Sequence, residues 1–126
     1  MKKLLIATHN YGKFKEIEAI LCSLPLELVN LNDVNIEEDV EETGLTYEEN
    51  AIIKARFFAE KSGLPTIADD SGITVDALKN ELGVKTRRWG AGAQASDEEW
   101  LDFFMNRMKD EKNRNTTFYT TIAFLE

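Results

Sequence analysis

Cysteine, proline and histidine are nearly missing from this chain, which has one Cys, two Pro and one His among 126 residues. Cys22 has no partner for an internal disulfide and no His or second Cys near it at ligand spacing, so it reads as a reduced thiol in a cytoplasmic protein. His9 reads as a turn residue rather than a catalyst. Long apolar runs are lacking too. No stretch approaches the roughly 20 residues of a membrane span, and the run from Leu4 to Thr8 behind Met1-Lys2-Lys3 is too short for a signal peptide. Positive charge is in deficit, with 15 basic residues against 23 acidic ones and a formal charge of −8. That balance argues against a grip on a nucleic acid polymer, which needs many Lys and Arg to neutralise phosphates. It leaves free nucleotides open, because a few concentrated donors and a bridging divalent cation suffice to hold a small polyanion.

What is present suits one globular domain over residues 1–126, since 43% hydrophobic and 10% aromatic residues can bury a core. Lys3 to Thr8 reads as a short buried strand. Asn10 follows as the cap of a helix with Phe14, Ile17, Ile20 and Leu21 at helical spacing. A second strand is expected from Leu26 to Leu31, then a polar loop in which five of the six residues from Glu37 to Glu42 are carboxylates. Thr46-Tyr47-Glu48-Glu49 matches a capping box. It opens a helix with Tyr47, Ala51, Ala55, Phe58 and Ala59 as its apolar stripe, closed by Ser62-Gly63 and Pro65. Thr66 to Ala68 returns to strand, and Ile73 to Leu78 is expected to form a second short strand. Lys85 to Ala93 reads as a basic, glycine-containing loop. A second capping box, Ser96 to Glu99, opens a helix with Trp100, Leu101, Phe104, Met105 and Met108 on one face, and Thr116 to Leu125 reads as a long final strand. Alternating strands and helices indicate a mixed α/β fold.

Asp69-Asp70-Ser71-Gly72 is the most informative segment, two adjacent carboxylates and a hydroxyl at the expected end of a strand. Asp, Ser and Gly are also turn formers, so the segment reads either as a turn or as a cation site. Lys13, in the first turn of the helix capped by Asn10, opposes the helix dipole. With the Thr8 hydroxyl and the Asn10 amide it would make a phosphate cradle; otherwise Thr8 and Asn10 merely cap and Lys13 points to water. Glu41 and Glu42 precede a Thr43-Gly44 turn that could aim one of them inward, although an acidic run is also an ordinary solvated face. Lys54, about a turn beyond Asn50, is otherwise a solvent-exposed lysine.

Three motifs agree in order and spacing. Ala7-Thr8-His9-Asn10-Tyr11-Gly12-Lys13 with Glu16, Glu41-Glu42-Thr43-Gly44 through Asn50-Ala51 with Lys54-Ala55, and Ala68-Asp69-Asp70-Ser71-Gly72-Ile73 with Val75 to Leu78 together resemble the inosine triphosphate pyrophosphatase family. The resemblance covers nearly the whole chain. It implies a twisted mixed sheet flanked by helices, and Mg²⁺-dependent hydrolysis of non-standard purine nucleoside triphosphates (ITP, XTP, dITP) to monophosphate and pyrophosphate. It also implies roles. Thr8, Asn10 and Lys13 would bind the triphosphate, Ser71 would touch its phosphates, and Lys54 and Arg88 would join the substrate-binding set. Glu41, less so Glu42, would hold Mg²⁺ with Asp70. Asp70 would position or deprotonate the attacking water, and Asp69 would tune its neighbour or add an outer metal contact.

The resemblance also has a gap. The family's Phe-Gly-Tyr-Asp element, a later Lys and a Ser-His-Arg element, which close over the purine and contact phosphate, do not occur in this sequence. The chain is therefore expected to be C-terminally short. It would be either a truncated form or a naturally short relative that completes its sheet as a homodimer through the last strand. Two function classes follow: a pyrophosphatase with poor base discrimination, or a catalytically impaired nucleotide-binding or assembly module. A hydrolase of modified pyrimidine nucleotides is a third, disfavoured by the Thr8-to-Lys13 spacing. No nucleic acid polymer and no membrane is expected as a partner.

Overall fold

Leu4, Leu5 and Ile6 are three consecutive apolar residues, and all three are buried, as a strand covered on both faces requires. They form the end of β1 (Lys2–Ile6) in the computed structural model, which describes all 126 residues. The first helix, α1 (Tyr11–Leu21), leads to β2 (Leu26–Val29), and the second, α2 (Tyr47–Ser62), leads to β3 (Thr66–Val75). β1 pairs in parallel with both, in the registers Leu5↔Val29 and Leu5↔Thr66, so each helix serves as the crossover that parallel strands need. A third helix, α3 (Asp97–Met108), precedes β4 (Thr116–Leu125), and the sheet order is β2-β1-β3-β4.

The chain divides into two compact units. One comprises Met1–Asp70 with Thr121–Glu126, the other Ser71–Thr120. In the first, Leu5, Ala7, Val29, Leu31, Ile36, Ala55, Phe58 and Ala68 form the core. Ala51 and Ala55, both fully covered, let α2 pack closely while Phe58 fills the volume beside them. In the second, Ile73, Val75, Leu78, Leu82 and Met108 form a smaller core against which Trp89, Trp100 and Phe104 pack. The Thr86 hydroxyl accepts from the Ile73 amide at 3.0 Å, and the Trp100 indole donates to the Thr86 carbonyl at 2.7 Å.

Several local expectations change. Asp69-Asp70-Ser71-Gly72 is not a turn. β3 runs unbroken from Thr66 to Val75 through it, because this inner strand is buried on both faces and its backbone groups need ladder partners. Ala77-Leu78 belongs to a 3-10 turn, Asp76–Leu78, and part of the basic loop to another, Gly83–Arg88. On α1 only Phe14 is buried, and Ile20 is 76% exposed. On α3, Leu101 and Met105 are likewise exposed, leaving Met108 as the buried residue. The caps fall where the sequence puts them, at Asn10, Thr46 and Ser96, with Gly63 left-handed at the end of α2. Only Ser96 has the full reciprocal box. At α2 the Glu49 carboxylate reaches the Leu45 amide, one residue further back than expected.

Candidate active site

The two aspartates of β3 are almost fully buried, Asp69 at 5% and Asp70 at 6% exposure. Adjacent residues of a strand project to opposite faces, so neighbouring carboxylates there need not share a proton or a cation. Each has its own partner. Lys13 Nζ lies 2.7 Å from Asp69 Oδ2, while Asn50 Nδ2 donates to Asp70 Oδ2 at 3.3 Å. Lys13 is brought there by α1, whose start is fixed by two short bonds: the Asn10 amide donates to the Thr8 hydroxyl, and the Lys13 amide donates to Asn10 Oδ1, both at 3.1 Å. Thr8 and Asn10 therefore build the helix entry, and Lys13 turns to the sheet rather than to water.

The acidic loop approaches from the other side through Glu42. Its carboxylate pairs with Lys54 Nζ at 2.8 Å, and the same ammonium donates to the Asp69 carbonyl oxygen at 2.9 Å. Glu41 is exposed, so the structure brings Glu42 rather than Glu41 toward the buried carboxylates. Burial, and next the charge of Glu42, push the Asp70 carboxyl above its ordinary value. The Asn50 hydrogen bond and the charges of Lys54 and Lys13 pull it back in part. The first unit thus gathers Lys13, Glu42, Asn50, Lys54, Asp69 and Asp70 from four segments. Ser71 follows on β3, half-buried. In the second unit Arg88 is exposed at the end of its 3-10 turn, whereas its neighbour Arg87 donates to the Ala95 carbonyl.

No three of the chain's His, Cys, Asp and Glu side chains converge into a cluster of the kind that holds a metal ion. The donors nearest to one, Asp70 and Glu42, are hard oxygen ligands whose mutual repulsion a divalent cation would relieve, so the residues suit Mg²⁺ chemically. Asn50 was not singled out in the sequence, yet it is buried and touches both the loop and Asp70. The signal for it was present: an amide between Glu49 and Ala51 on the covered face of a helix has to be satisfied there.

Known proteins resemble this chain over its whole length. The sequence pattern of the Ham1 family matches residues 4–126. A protein of Pectobacterium atrosepticum called dITP/XTP pyrophosphatase is 42% identical over 99% of this chain and 64% of its own length. One of the same name from Leptospira interrogans is 37% identical over 99% of this chain and 63% of its own. Among solved structures, a HAM1 protein from Coxiella burnetii aligns with a TM-score of 0.83 at 37% identity, over all of this chain and 64% of that one. The Staphylococcus aureus Ham1 protein aligns with a TM-score of 0.78 at 34% identity, over 98% of this chain and 63% of that one. The chain spans a little under two thirds of the length of these relatives.

Proposed function

The chain belongs to the Ham1 family, and on that premise we propose that it is a nucleoside triphosphate pyrophosphatase acting on non-standard purine nucleotides, with Asp70 as its water-activating carboxylate. The observation that carries this reading is the state of Asp70, a carboxylate buried on an inner strand whose affinity for a proton is raised by that burial and by Glu42. A carboxylate so raised is a better base than an exposed one, and perturbed groups of this kind cluster where chemistry is done. The choice of substrate is supported by the relatives, whose names specify dITP and XTP.

In this mechanism Lys13 and Lys54 of the first unit neutralise the polyphosphate, with Thr8 and Asn10 at the start of α1. To reach phosphate, Lys13 exchanges its pairing with Asp69 for the stronger field of the triphosphate. Asp70 holds a water in line and takes its proton as the water oxygen bonds to phosphorus. The anhydride bond between the α- and β-phosphates breaks, and pyrophosphate leaves. Asp70 and Glu42 would hold Mg²⁺, Glu41 and Asp69 lying beside them in sequence; when bound, the ion withdraws charge from the phosphates. We place the protein in the cytoplasm, and no helix is long and apolar enough to cross a membrane.

A second reading is a nucleotide-binding or assembly module, favoured by the exposed apolar residues Phe118, Ile122 and Phe124 on the edge strand β4. Pyrophosphate release from ITP, XTP, dITP and the standard triphosphates, with and without Mg²⁺, separates the two. Release that is lost in Asp70→Asn with circular dichroism unchanged supports the enzyme. No release from any substrate at high protein concentration removes it and leaves the module.

A further inference from the structure

Asn50 occupies the first turns of α2 at 2% exposure, a place where a leucine would serve a core better. A buried carboxamide costs stability unless both its ends are bonded, and here both are. The Gly44 amide donates to Asn50 Oδ1 at 2.7 Å, and Asn50 Nδ2 donates to Asp70 Oδ2 at 3.3 Å. This pairing fixes the orientation of the amide: an N–H on the Gly44 side is met only by oxygen, so nitrogen faces the aspartate. The space is assigned as tightly. A Cβ on Gly44 would lie 2.6 Å from Asn50 Oδ1, and Gly44 is not among the glycines with positive φ, so the contact itself requires a glycine there.

We propose that Asn50 is a positioning residue whose carboxamide holds the Asp70 side chain in a single rotamer and ties to it the segment that follows Glu42. α2 acts as the ruler. Its Thr46 cap and the bond from the Asn50 amide to the Thr46 carbonyl, 3.2 Å, hold the side chain that spans the two segments. Glu42 lies two residues before Gly44, so the clamp also limits how far that carboxylate moves from Asp70. The catalytic consequence rests on the pyrophosphatase reading; the clamp does not.

The test uses the full chain and two near-isosteric variants. Asn50→Asp keeps an oxygen for the Gly44 amide but turns the donor facing Asp70 into a charged acceptor. Asn50→Asp with Asp70→Asn restores one donor and one acceptor in reversed order. Three-bond NMR couplings of residue 70 report its χ1 rotamer, and the Gly44 amide shift reports the loop side. We expect one rotamer in the native chain, rotamer averaging in Asn50→Asp with the Gly44 shift kept, and a single rotamer again in the double variant. Turnover of ITP should fall on the order of a hundredfold in Asn50→Asp with KM changed far less, as misplacement of a reacting group does. Unchanged couplings in Asn50→Asp, or averaging that persists in the double variant, overturn the proposal. If Asn50→Asp fails to fold, the double variant decides alone. A native chain that turns nothing over removes the pyrophosphatase reading, while the couplings still judge Asn50.

Discussion

Lys13 of α1 and Asp69 of β3 form an ion pair at 2.7 Å, the aspartate nearly buried and the lysine about one third exposed. The lysine stem is thereby drawn away from solvent and its ammonium is held against β3. Removing the cation takes this ion pair away from a carboxylate whose side chain is only 7% exposed. Lys13→Met should destabilise the chain by about 1–3 kcal/mol, less than a fully buried pair because the lysine is still partly hydrated. Adding Asp69→Asn should recover part of that loss, and urea unfolding of the four members of the cycle measures it.

The glutamate that matters to Asp70 is identifiable by titration. Burial and then Glu42 raise the Asp70 carboxyl above its ordinary 3.8, so the folded chain binds this proton more tightly than the unfolded chain. Stability from this group is therefore present below 3.8 and is lost as pH rises through the raised folded value. Glu42→Gln should shift the Asp70 midpoint downward in a carbon-detected NMR titration. Glu41→Gln should leave it in place; an equal shift from both variants contradicts the geometry.

Two glycines at the ends of α2 should respond to alanine for different reasons. At Gly44 a new Cβ would meet Asn50 Oδ1 at 2.6 Å and Glu49 Cβ at 2.7 Å, so Gly44→Ala should cost about 1–3 kcal/mol as overpacking. At Gly63 there is nothing within 4 Å, but φ is +68°, so Gly63→Ala should cost about 1 kcal/mol as backbone strain. Gly63→Asn, which tolerates the left-handed region, should cost less than Gly63→Ala, whereas Gly44→Asn should be worse than Gly44→Ala. Thermal melts of the four variants give the order.

β4 is an edge strand, and Phe118, Ile122 and Phe124 on it are all more than half exposed. Such a row pairs readily with another chain. The chain should self-associate with rising concentration in sedimentation or light scattering. Ile122→Lys with Phe124→Lys should shift it toward monomer without lowering the melting temperature, since neither side chain is buried.

Legibility in the sequence followed the range of the forces involved. Asn10, Thr46, Ser96 and Gly63 were found because a cap is decided within four residues by the backbone groups a helix leaves unpaired. The stripe on α2 was legible through Ala51, Ala55 and Phe58, but those of α1 and α3 were overestimated at Ile20, Leu101 and Met105. Periodicity says which residues share a face; it does not say how much of the face is covered.

The sequence by itself determined the mixed α/β order of elements, the helix ends, the family and the presence of carboxylates and lysines at the site. Only the tertiary structure decided their partners. Asp69-Asp70 looked like a turn or a shared cation site because both residues favour turns and repel each other. Placed on an inner strand instead, they point to opposite faces, Asp69 meeting Lys13 from α1 and Asp70 meeting Asn50 from α2. The physical reason is separation along the chain. Asp69 lies 56 residues from Lys13 and Asp70 lies 20 from Asn50, so these contacts arise only when sheet pairing and helix packing bring distant segments together.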